Sequence, residues 1–328
     1  MILTLTLNPS IDQTVVLPAP LERGAVQRAS APASQVAAGK GVNVARVLAG
    51  AGIAVRAIVM ARPDDRFSMM LAADGVDALC VPVGAAVRTN LAITELDGTT
   101  TKINEPGAPL EAHAVASMLD AVRASAPRAE WLVIAGSLPA ATRPDIIVDV
   151  IRAAREAHAG IRVAVDTSGP PLAAAIADGG IDLAKPNDEE LEELLGLATG
   201  AIGSLDEAVG AAQALVALGV GTVLLTLGGD GAISADAGVT LQAAAPPTVV
   251  RSTVGAGDAS LAGWLIAQVR GDDARGRLGQ AVAHGSAAAA MPGTGFPTPA
   301  EADASRVAVT TVTTTHTHAA AAADLQEH

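Results

Sequence analysis

Residues 252–260 combine two glycines with an acidic residue, a pattern that suits phosphate chemistry. Gly255 and Gly257 stand where a helix is predicted to begin, so several backbone N–H groups can converge there on one anion. Asp258 falls in the first turn, where a carboxylate can accept the proton of a hydroxyl that attacks a phosphoryl group. An ordinary helix start, with a glycine cap and Asp258 complementing the helix dipole, explains the same residues. This segment alone leaves both interpretations open.

A second glycine-rich segment lies at residues 38–43. It does not fit the P-loop pattern, because Ser34 stands where that pattern needs glycine and Gly41 where it needs serine or threonine. What remains is a tight turn that lets a ligand approach the backbone, with Lys40 and Asn43 beside it. A purely structural turn is the alternative.

A third segment, residues 185–190, follows a predicted strand and begins an acidic helix. Asn187 and Glu190 are three positions apart, so they share one helical face. An amide and a carboxylate placed in this way can hold Mg²⁺ through water, since Mg²⁺ prefers few protein ligands. The alternative is an N-cap asparagine followed by acidic residues that complement the helix dipole.

The elements that must position these residues alternate between strand and helix from about residue 110 onwards, which predicts a mostly parallel sheet with helices on both faces. The helix after the strand at residues 131–135 is predicted to begin with Thr142 as its N-cap. Earlier in the chain, two β-prone runs flank Asp97 and Gly98 and predict a hairpin. With residues 12–16, this hairpin is expected to form a small accessory sheet.

The composition limits the possible functions. The net charge of −13 should repel nucleic acid and anionic membranes, and an aromatic content of 1% leaves little for base stacking. Apolar runs are too short to span a membrane, and Cys80 is the single cysteine, so a cytoplasmic protein is expected. An anionic substrate would have to be held by local groups such as helix N-termini and a few placed cations.

Together and in this order, these segments resemble the ribokinase-like (pfkB) carbohydrate kinases, and more narrowly their phosphosugar branch. The resemblance covers roughly residues 2–300 and includes the motifs at 6–12, 37–46, 88–90, 136–139, 185–190 and 253–258. It implies an α/β ribokinase-like fold with a small β-sheet lid formed by segments near 12–30 and 88–105. The kinase domain is expected to span residues 1–304, followed by a disordered tail at 305–328.

The resemblance also implies roles for individual residues. Asp258 would be the catalytic base, and the anion hole would consist of Gly255, Ala256 and Gly257. Substrate binding would fall to Asp12, Gly39, Lys40, Asn43, Arg88 and Ser137, with Arg88 and Lys40 on the phosphate that the substrate already carries. The nucleotide would be bordered by Lys185, Asn187, Glu190, Thr226, Gly228 and Gly231, and Asn187 and Glu190 would hold Mg²⁺ through water.

The implied activity is the ATP-dependent phosphorylation of a ketohexose phosphate, with ATP and Mg²⁺ as cofactors. Fructose 1-phosphate is favoured by the turn at 38–41, by residues 88–90 and by the hairpin strand at 99–102. Fructose 6-phosphate and tagatose 6-phosphate stay open, as does a non-catalytic sensor of phosphosugar or nucleotide. A small-molecule phosphosugar is the expected partner, together with a second copy of the chain bound through the lid, and neither nucleic acid nor a membrane is expected.

Overall fold

A computed structural model describes residues 1–312 of the chain. The described part contains strands that form two separate sheets. In chain order they are β1 (Ile2–Thr6), β2 (Ser10–Val16), β3 (Ser34–Ala38), β4 (Val55–Met60), β5 (Ala78–Val81), β6 (Arg88–Thr94), β7 (Thr100–Asn104), β8 (Trp131–Ala135), β9 (Arg162–Asp166), β10 (Leu183–Ala184), β11 (Thr222–Thr226), β12 (Ala232–Asp236), β13 (Thr240–Ala243) and β14 (Val309–Thr311).

The main sheet has the strand order β14-β13-β12-β11-β10-β9-β8-β1-β4-β5. From β5 to β11 the neighbouring strands are parallel, and β12, β13 and β14 add an antiparallel edge. The parallel strands β1 and β8 are buried along their whole length, as expected for strands covered on both faces. The predicted mostly parallel sheet is confirmed.

Helices cover both faces of this sheet. They are α1 (Lys40–Gly50), α2 (Arg66–Ala73), α3 (Ala112–Ser125), α4 (Ile146–Ala157), α5 (Gly169–Asp178), α6 (Asp188–Leu194), α7 (Leu205–Ala217), α8 (Ala256–Arg270) and α9 (Ala274–Ala289). None of these helices is long and apolar enough to cross a membrane, a finding that covers residues 1–312.

Two apolar cores lie on the opposite faces, and residues of β8 show how one strand serves both. Leu132 and Ile134 pack with α3, α4, α5 and α7, whereas Trp131 and Val133 pack with α1, α8 and α9. Successive side chains of a strand point to opposite faces, so a continuous apolar run is what such a strand requires.

The second sheet, here called the lid sheet, has the order β3-β2-β6-β7. The predicted hairpin is confirmed, with β6 and β7 antiparallel around a turn at Gly98. The predicted lid boundaries differ from the structure: β3 (Ser34–Ala38) belongs to the lid sheet, while residues 17–33 contain no strand. A long loop separates β2 from β3, and antiparallel pairing of the two strands brings β3 into this sheet.

The predicted tail also differs from the structure in its first part. Residues 309–311 form β14, which pairs antiparallel with β13 and completes the edge of the main sheet. Val307 is buried in the core beneath α9. The Thr- and Ala-rich composition of this segment gives no strand signal. The strand forms because it pairs with β13, which is distant in sequence, and a local pattern cannot reveal such a contact. Residues 313–328, the rest of the predicted tail, lie outside the described residues.

Two helix starts depart from the sequence prediction. Thr142 does not cap a helix: it lies in a turn closed by its own N–H and the carbonyl of Pro139, and α4 begins one turn later, after Asp145. Helix α2 was missed by the sequence analysis. The side chain of Asp65 accepts a hydrogen bond from the Phe67 N–H at its start, an N-cap signal that was present in the sequence.

Candidate active site

A cavity of about 900 Å³ lies where the carboxyl ends of the parallel strands face the lid sheet. This is the edge at which open α/β sheets bind ligands. All of the residues predicted for catalysis, substrate or nucleotide line this one cavity. They are Asp12, Gly39, Lys40, Asn43, Arg88, Ser137, Lys185, Asn187, Glu190, Thr226, Gly228, Gly231, Gly255, Ala256, Gly257 and Asp258.

The start of α8 presents backbone amides and a carboxylate to the cavity. Gly255 precedes the helix in the left-handed conformation, with φ of 81°, which favours glycine. The first turn then contains Ala256, Gly257 and Asp258, where N–H groups have no acceptor within the helix and the helix dipole is positive. An anion beside Asp258 would therefore meet both oriented amides and the carboxylate.

Asp258 is buried and held by one side chain from α1. The Asn43 amide donates from Nδ2 to Asp258 Oδ2 at 2.8 Å, which leaves Oδ1 as the oxygen that can accept a proton. Burial and the nearby charge of Asp166 raise the pKa of Asp258 to about 6. A carboxylate with this pKa is largely ionised at neutral pH and is a better proton acceptor than an ordinary aspartate.

Lys40 lies at the first turn of α1, and its ammonium points to two carboxylates. Nζ is 2.8 Å from Asp166 Oδ1 and 3.4 Å from Glu190 Oε1. Burial opposes the charge, but attraction to Asp166 and Glu190 outweighs it and raises the pKa of Lys40 above its ordinary value. Lys40 is thus a fixed cation on the Asp258 side of the cavity.

Asp166 is not among the predicted site residues, yet it holds two of them in place. It ends β9, is fully buried, and also pairs with Lys185, whose Nζ lies 3.3 Å from Oδ1. Burial alone would raise the pKa of Asp166, but the charges of Lys185 and Lys40 hold it below the ordinary value. The sequence does place Asp166 at the end of a predicted strand, and this is the edge of an open α/β sheet where ligands bind.

Asn187 and Glu190 form a complete capping box at the start of α6. Asn187 Oδ1 accepts from the Glu190 N–H at 2.7 Å, and Glu190 Oε2 accepts from the Asn187 N–H at 3.0 Å. The capping interpretation of this segment is therefore correct as local structure, while both side chains also line the cavity. Glu190 keeps Oε1 towards Lys40 and the cavity.

The donor set fits a magnesium ion held mainly by a ligand and water. Residues 1–312 contain no group of three or more His, Cys, Asp or Glu side chains that could hold a metal by themselves. Glu190 and the Asn187 amide offer one or two oxygen ligands at the cavity wall. That is the pattern for Mg²⁺ bound through one carboxylate, waters and substrate phosphates.

The turn after β11 borders the part of the cavity that lies next to the start of α6. The Thr226 N–H donates to the carbonyl of Pro186, which ties this strand end to the start of α6. Residues Gly228–Asp230 then form a 3₁₀ turn, in which the Asp230 N–H donates to the carbonyl of Leu227. The Leu227 N–H donates to the carbonyl of Gly231 and so joins the two ends of the turn. These contacts place the glycine turn beside the capping box.

The lid supplies a different set of polar groups. Arg88 begins β6 and donates to the carbonyls of Glu105 and Asn8 at 2.6 and 3.3 Å. Burial lowers the pKa of Arg88, while Asp12 and Glu105 oppose that change. Arg88 and Lys40 thus face different carboxylates, although the sequence analysis assigned both to one phosphate.

Neighbouring lid contacts fix two further predicted residues. Asp12 Oδ1 accepts from Ser10 Oγ at 2.8 Å and from Asn90 Nδ2 at 3.0 Å. Ser137 Oγ accepts from Asn8 Nδ2 at 3.3 Å, which links the end of β8 to the strand that enters the lid. Asn8 and Asn90 are cavity-lining residues that the sequence analysis did not name as site residues.

The glycine-rich segment at residues 38–43, which runs into the first turn of α1, brings its backbone close to β1. A Cβ atom added to Gly41 would lie 2.5 Å from Thr6 Oγ1 and 2.8 Å from the carbonyl oxygen of Leu5. Only glycine permits this approach, so the structural interpretation of the turn is correct for Gly41. Gly39, immediately before the helix, lines the cavity and leaves the backbone open to a ligand.

Comparison with known proteins agrees with this geometry. The pfkB family of carbohydrate kinases matches residues 5–301. The 1-phosphofructokinase of Rhodobacter capsulatus is 38% identical over 278 residues, which cover 83% of this chain and 85% of that protein. The ATP-dependent 6-phosphofructokinase isozyme 2 of Escherichia coli is 33% identical over 297 residues, which cover 89% and 94%.

Solved structures share the fold. The tetrameric inhibited form of phosphofructokinase-2 from Escherichia coli superposes with a TM-score of 0.79 at 32% identity, over 88% of this chain and 93% of that one. The family match spans both the main sheet and the lid sheet, and it includes every predicted site residue. The chain belongs to the pfkB family of carbohydrate kinases.

Proposed function

We propose that this protein transfers the terminal phosphoryl group of ATP to a hydroxyl of a fructose phosphate, with fructose 1-phosphate as the preferred acceptor. The observation that carries the proposal is the position of Asp258: a buried carboxylate with a raised pKa in the first turn of α8, beside two lysines. Kinases of the pfkB family use ATP, and a relative at 38% identity is named 1-phosphofructokinase.

Asp258 acts as the general base. Oδ1 accepts the proton of the acceptor hydroxyl as that oxygen attacks the terminal phosphorus, while the bond from this phosphorus to the bridging oxygen breaks and ADP leaves. Asn43 holds Oδ2 and so keeps Oδ1 towards the cavity. For fructose 1-phosphate, the attacking group is the hydroxyl at the far end of the sugar from the existing phosphate.

Positioning and charge supply most of the acceleration, since the transition state of phosphoryl transfer is loose. The amides of Gly255, Ala256 and Gly257 face the transferred group from the start of α8. We assign Lys40 to this group as well, because its ammonium contacts Asp166 and Glu190 on the Asp258 side of the cavity. The sequence analysis placed Lys40 on the phosphate that the substrate already carries, and we now assign Lys40 to the transferred phosphoryl group instead.

The nucleotide occupies the end of the cavity between α6 and the turn after β11. Glu190 and Asn187 would hold the water shell of Mg²⁺, and the ion would supply positive charge that neutralises phosphate oxygens. Lys185 lies beside the triphosphate, and Thr226, Gly228 and Gly231 border the nucleoside. This arrangement rests on the cavity lining and on the bridge between Asn187 and Thr226.

The sugar phosphate occupies the lid end of the cavity. Arg88 binds its phosphate, since a guanidinium offers a forked match to phosphate oxygens. Asp12, Gly39, Asn43 and Ser137 contact the sugar hydroxyls. The donors of Arg88 contact two backbone carbonyls, so phosphate binding would exchange those contacts.

The lid sheet also supports pairing with a second copy of the chain. Val16, Leu96 and Ile103 are 39%, 73% and 55% exposed there, more than apolar side chains of the main sheet. A relative from Escherichia coli has been described in a tetrameric form. Burial of these side chains in a homodimer through the lid would remove apolar surface from water.

The test is ADP release by the purified protein with Mg·ATP and each of fructose 1-phosphate, fructose 6-phosphate and tagatose 6-phosphate. We expect kcat/KM for fructose 1-phosphate to exceed the others by about 10²-fold, or about 2.7 kcal/mol of discrimination. Unphosphorylated fructose is the control for the phosphate requirement. Preference for a 6-phosphate would keep the mechanism and change the substrate, and no turnover with any sugar phosphate would refute the proposal.

A further inference from the structure

The chain has only three lysines among its 21 basic residues: Lys40, Lys102 and Lys185. Two of them, far apart in sequence, meet at a single oxygen of one carboxylate. Lys40 comes from the first turn of α1, Lys185 follows β10, and Asp166 ends the neighbouring strand β9. All other basic residues except Lys102 are arginine, so the pairing of two lysines with one carboxylate is particular to this part of the structure.

Asp166 does not face the ligand itself. Its side chain has no exposed surface, and it is absent from the residues that line the cavity, whereas both lysines line it. Its second oxygen, Oδ2, has no hydrogen-bond partner within residues 1–312. Asp166 can therefore act on the reaction through the positions of Lys40 and Lys185 and through its charge, which raises the pKa of Asp258.

The two ammonium groups need such a counter-charge. Both contact Oδ1, at 2.8 and 3.3 Å, so they lie within about 6 Å of each other, where like charges in a poorly solvated site repel strongly. Lys185 is only 4% exposed, so it could not turn its charge into bulk water. Asp166 offsets the repulsion and holds both groups at defined positions.

Those positions flank the transferred group. A Cβ atom added to Gly257, in the first turn of α8, would lie 3.2 Å from Lys185 Nζ, so this ammonium sits against the predicted anion hole. Lys40 Nζ contacts Glu190 on the nucleotide side. One cation therefore adjoins the amides beside Asp258, and the other lies between Asp258 and the residue proposed to organise Mg²⁺.

We propose that Asp166 is a positioning residue, whose buried carboxylate clamps Lys40 and Lys185 together so that both charges face the transferring phosphoryl group. The inference rests on the proposed function, since it assumes transfer beside Asp258. It adds a residue that touches neither substrate nor nucleotide. It also predicts an effect on the base, because the charged groups that act on Asp258 are Asp166, Lys40 and Lys185.

The first test replaces Asp166 by its uncharged isostere, Asp166→Asn. We expect kcat to fall by about 10²-fold, as for a small misplacement of groups that hold the reacting atoms. Loss of the negative charge should also move the acidic limb of the kcat/KM profile to lower pH, because Asp166 raises the pKa of Asp258. A merely structural role would lower the amount of folded protein while kcat per folded molecule stayed near the wild-type value.

The second readout does not depend on activity. With three lysines in the chain, acetylation by a succinimidyl ester can be followed at each by peptide mass spectrometry. Since the Lys40 ammonium is held 2.8 Å from Asp166 Oδ1, Asp166→Asn should release it from this contact and increase the labelling rate of Lys40 several-fold relative to Lys102. Lys102, on the exposed strand β7, is the internal reference.

Glu192→Gln is the matched control. Glu192 is another buried carboxylate, 4% exposed, whose oxygens accept from the N–H groups of Gly200 and Ile202. Its substitution should leave the acidic limb and the labelling of Lys40 unchanged. If Asp166→Asn also leaves both unchanged while the wild-type protein phosphorylates fructose phosphates, the positioning role is overturned and the proposed function stands.

Asp166→Asn leaves Lys185 buried without a partner, a change that can unfold a protein. In that case Lys185→Met is compared with the double variant Asp166→Asn/Lys185→Met, in which no unpaired charge is left at Lys185. The double variant should fold and label Lys40 faster than the single one does. Equal labelling, or a double variant that still fails to fold, would mean that Asp166 serves the fold and not the lysines, which overturns the proposal.

Discussion

The two ends of the cavity are built from very different material. Asp258, Lys185 and Asp166 lie at the ends of buried strands and at the start of a buried helix, and each is at most 6% exposed. In the lid sheet, every residue of β6 is half-buried and every residue of β7 is exposed. The residues proposed for phosphoryl transfer are thus held by the buried core. Arg88, which is proposed to bind the substrate's phosphate, lies on the half-exposed lid sheet.

This difference separates two kinds of effect. Buried, mutually paired charges keep their positions without a ligand and should control kcat. A half-exposed lid residue whose donors rest on backbone carbonyls should control binding, and therefore KM. Changes at the core end and at the lid end are expected to leave different kinetic signatures.

The largest effect is expected at the core end, from Asp258→Asn. Removal of the base should lower kcat by at least about 10²-fold with KM little changed. The exposed Asp120→Asn, on α3, is the control. Near-normal turnover by the Asp258 variant would remove the base from the mechanism.

The same variant should be more heat-stable at pH 7 to 8. The pKa of Asp258 is raised in the folded protein, so its ionised form is disfavoured by folding above that pKa, and the penalty disappears as the pH falls below the ordinary value. Thermal unfolding of both proteins at pH 8 and pH 4 measures this. A variant with lower stability at pH 8 would contradict the assigned pKa.

At the lid end, Arg88→Ala should raise KM for the sugar phosphate by about 10 to 10²-fold, the worth of a hydrogen bond to a charged group, with kcat within a few-fold of wild type. Arg88→Lys should recover only part of the loss, because a lysine keeps the charge but lacks the fork. The exposed Arg128→Ala controls for net charge. A large fall in kcat with constant KM would erase the distinction between the two ends.

The pH dependence sharpens the comparison further. Wild-type kcat/KM should decrease about tenfold per unit below pH 6, as Asp258 takes up its proton. Arg88→Ala should keep this acidic limb, since the lid does not contact Asp258. A limb that moves with the Arg88 substitution would show that the two ends are electrostatically coupled.

The smallest effect is expected for Asn187→Ala, which removes the N-cap of α6. It should cost about 1 kcal/mol of unfolding free energy, as such caps usually do, and should raise the Mg²⁺ concentration needed for half-maximal activity. Ser204→Ala removes the N-cap of α7 in the same way, away from the cavity. Equal Mg²⁺ dependence in the two variants would leave Asn187 with a capping role alone.

Much of this architecture could be predicted from local sequence. The strand Trp131–Ala135 and the two Ala-rich helices α8 and α9 follow from apolar runs and from helix-forming composition. The glycine-rich segments were placed correctly because each directly follows a strand or begins a helix. All sixteen predicted site residues line one cavity for that reason.

What could not be predicted depends on which strands become neighbours. Asp166 gains its two lysine partners only because β9 lies beside β10 and because α1 crosses the same edge, contacts more than 120 residues apart for Lys40. Strand β3 joins the lid sheet by pairing with β2, and β14 joins the main sheet by pairing with β13. Both pairings are closer in sequence than the Lys40 contact, but they are still non-local. A pattern of two or three residues carries no information about such partners.

Strand β14 has a consequence for any shortened form of this protein. It covers the outer edge of β13, and Val307 beside it fills the core under α9. A chain cut after residue 304 would expose a row of free N–H and C=O groups on β13 and a gap beneath a helix. Exposed strand edges pair readily with other chains. The shortened protein should therefore lose solubility, although it keeps all of its proposed active-site residues.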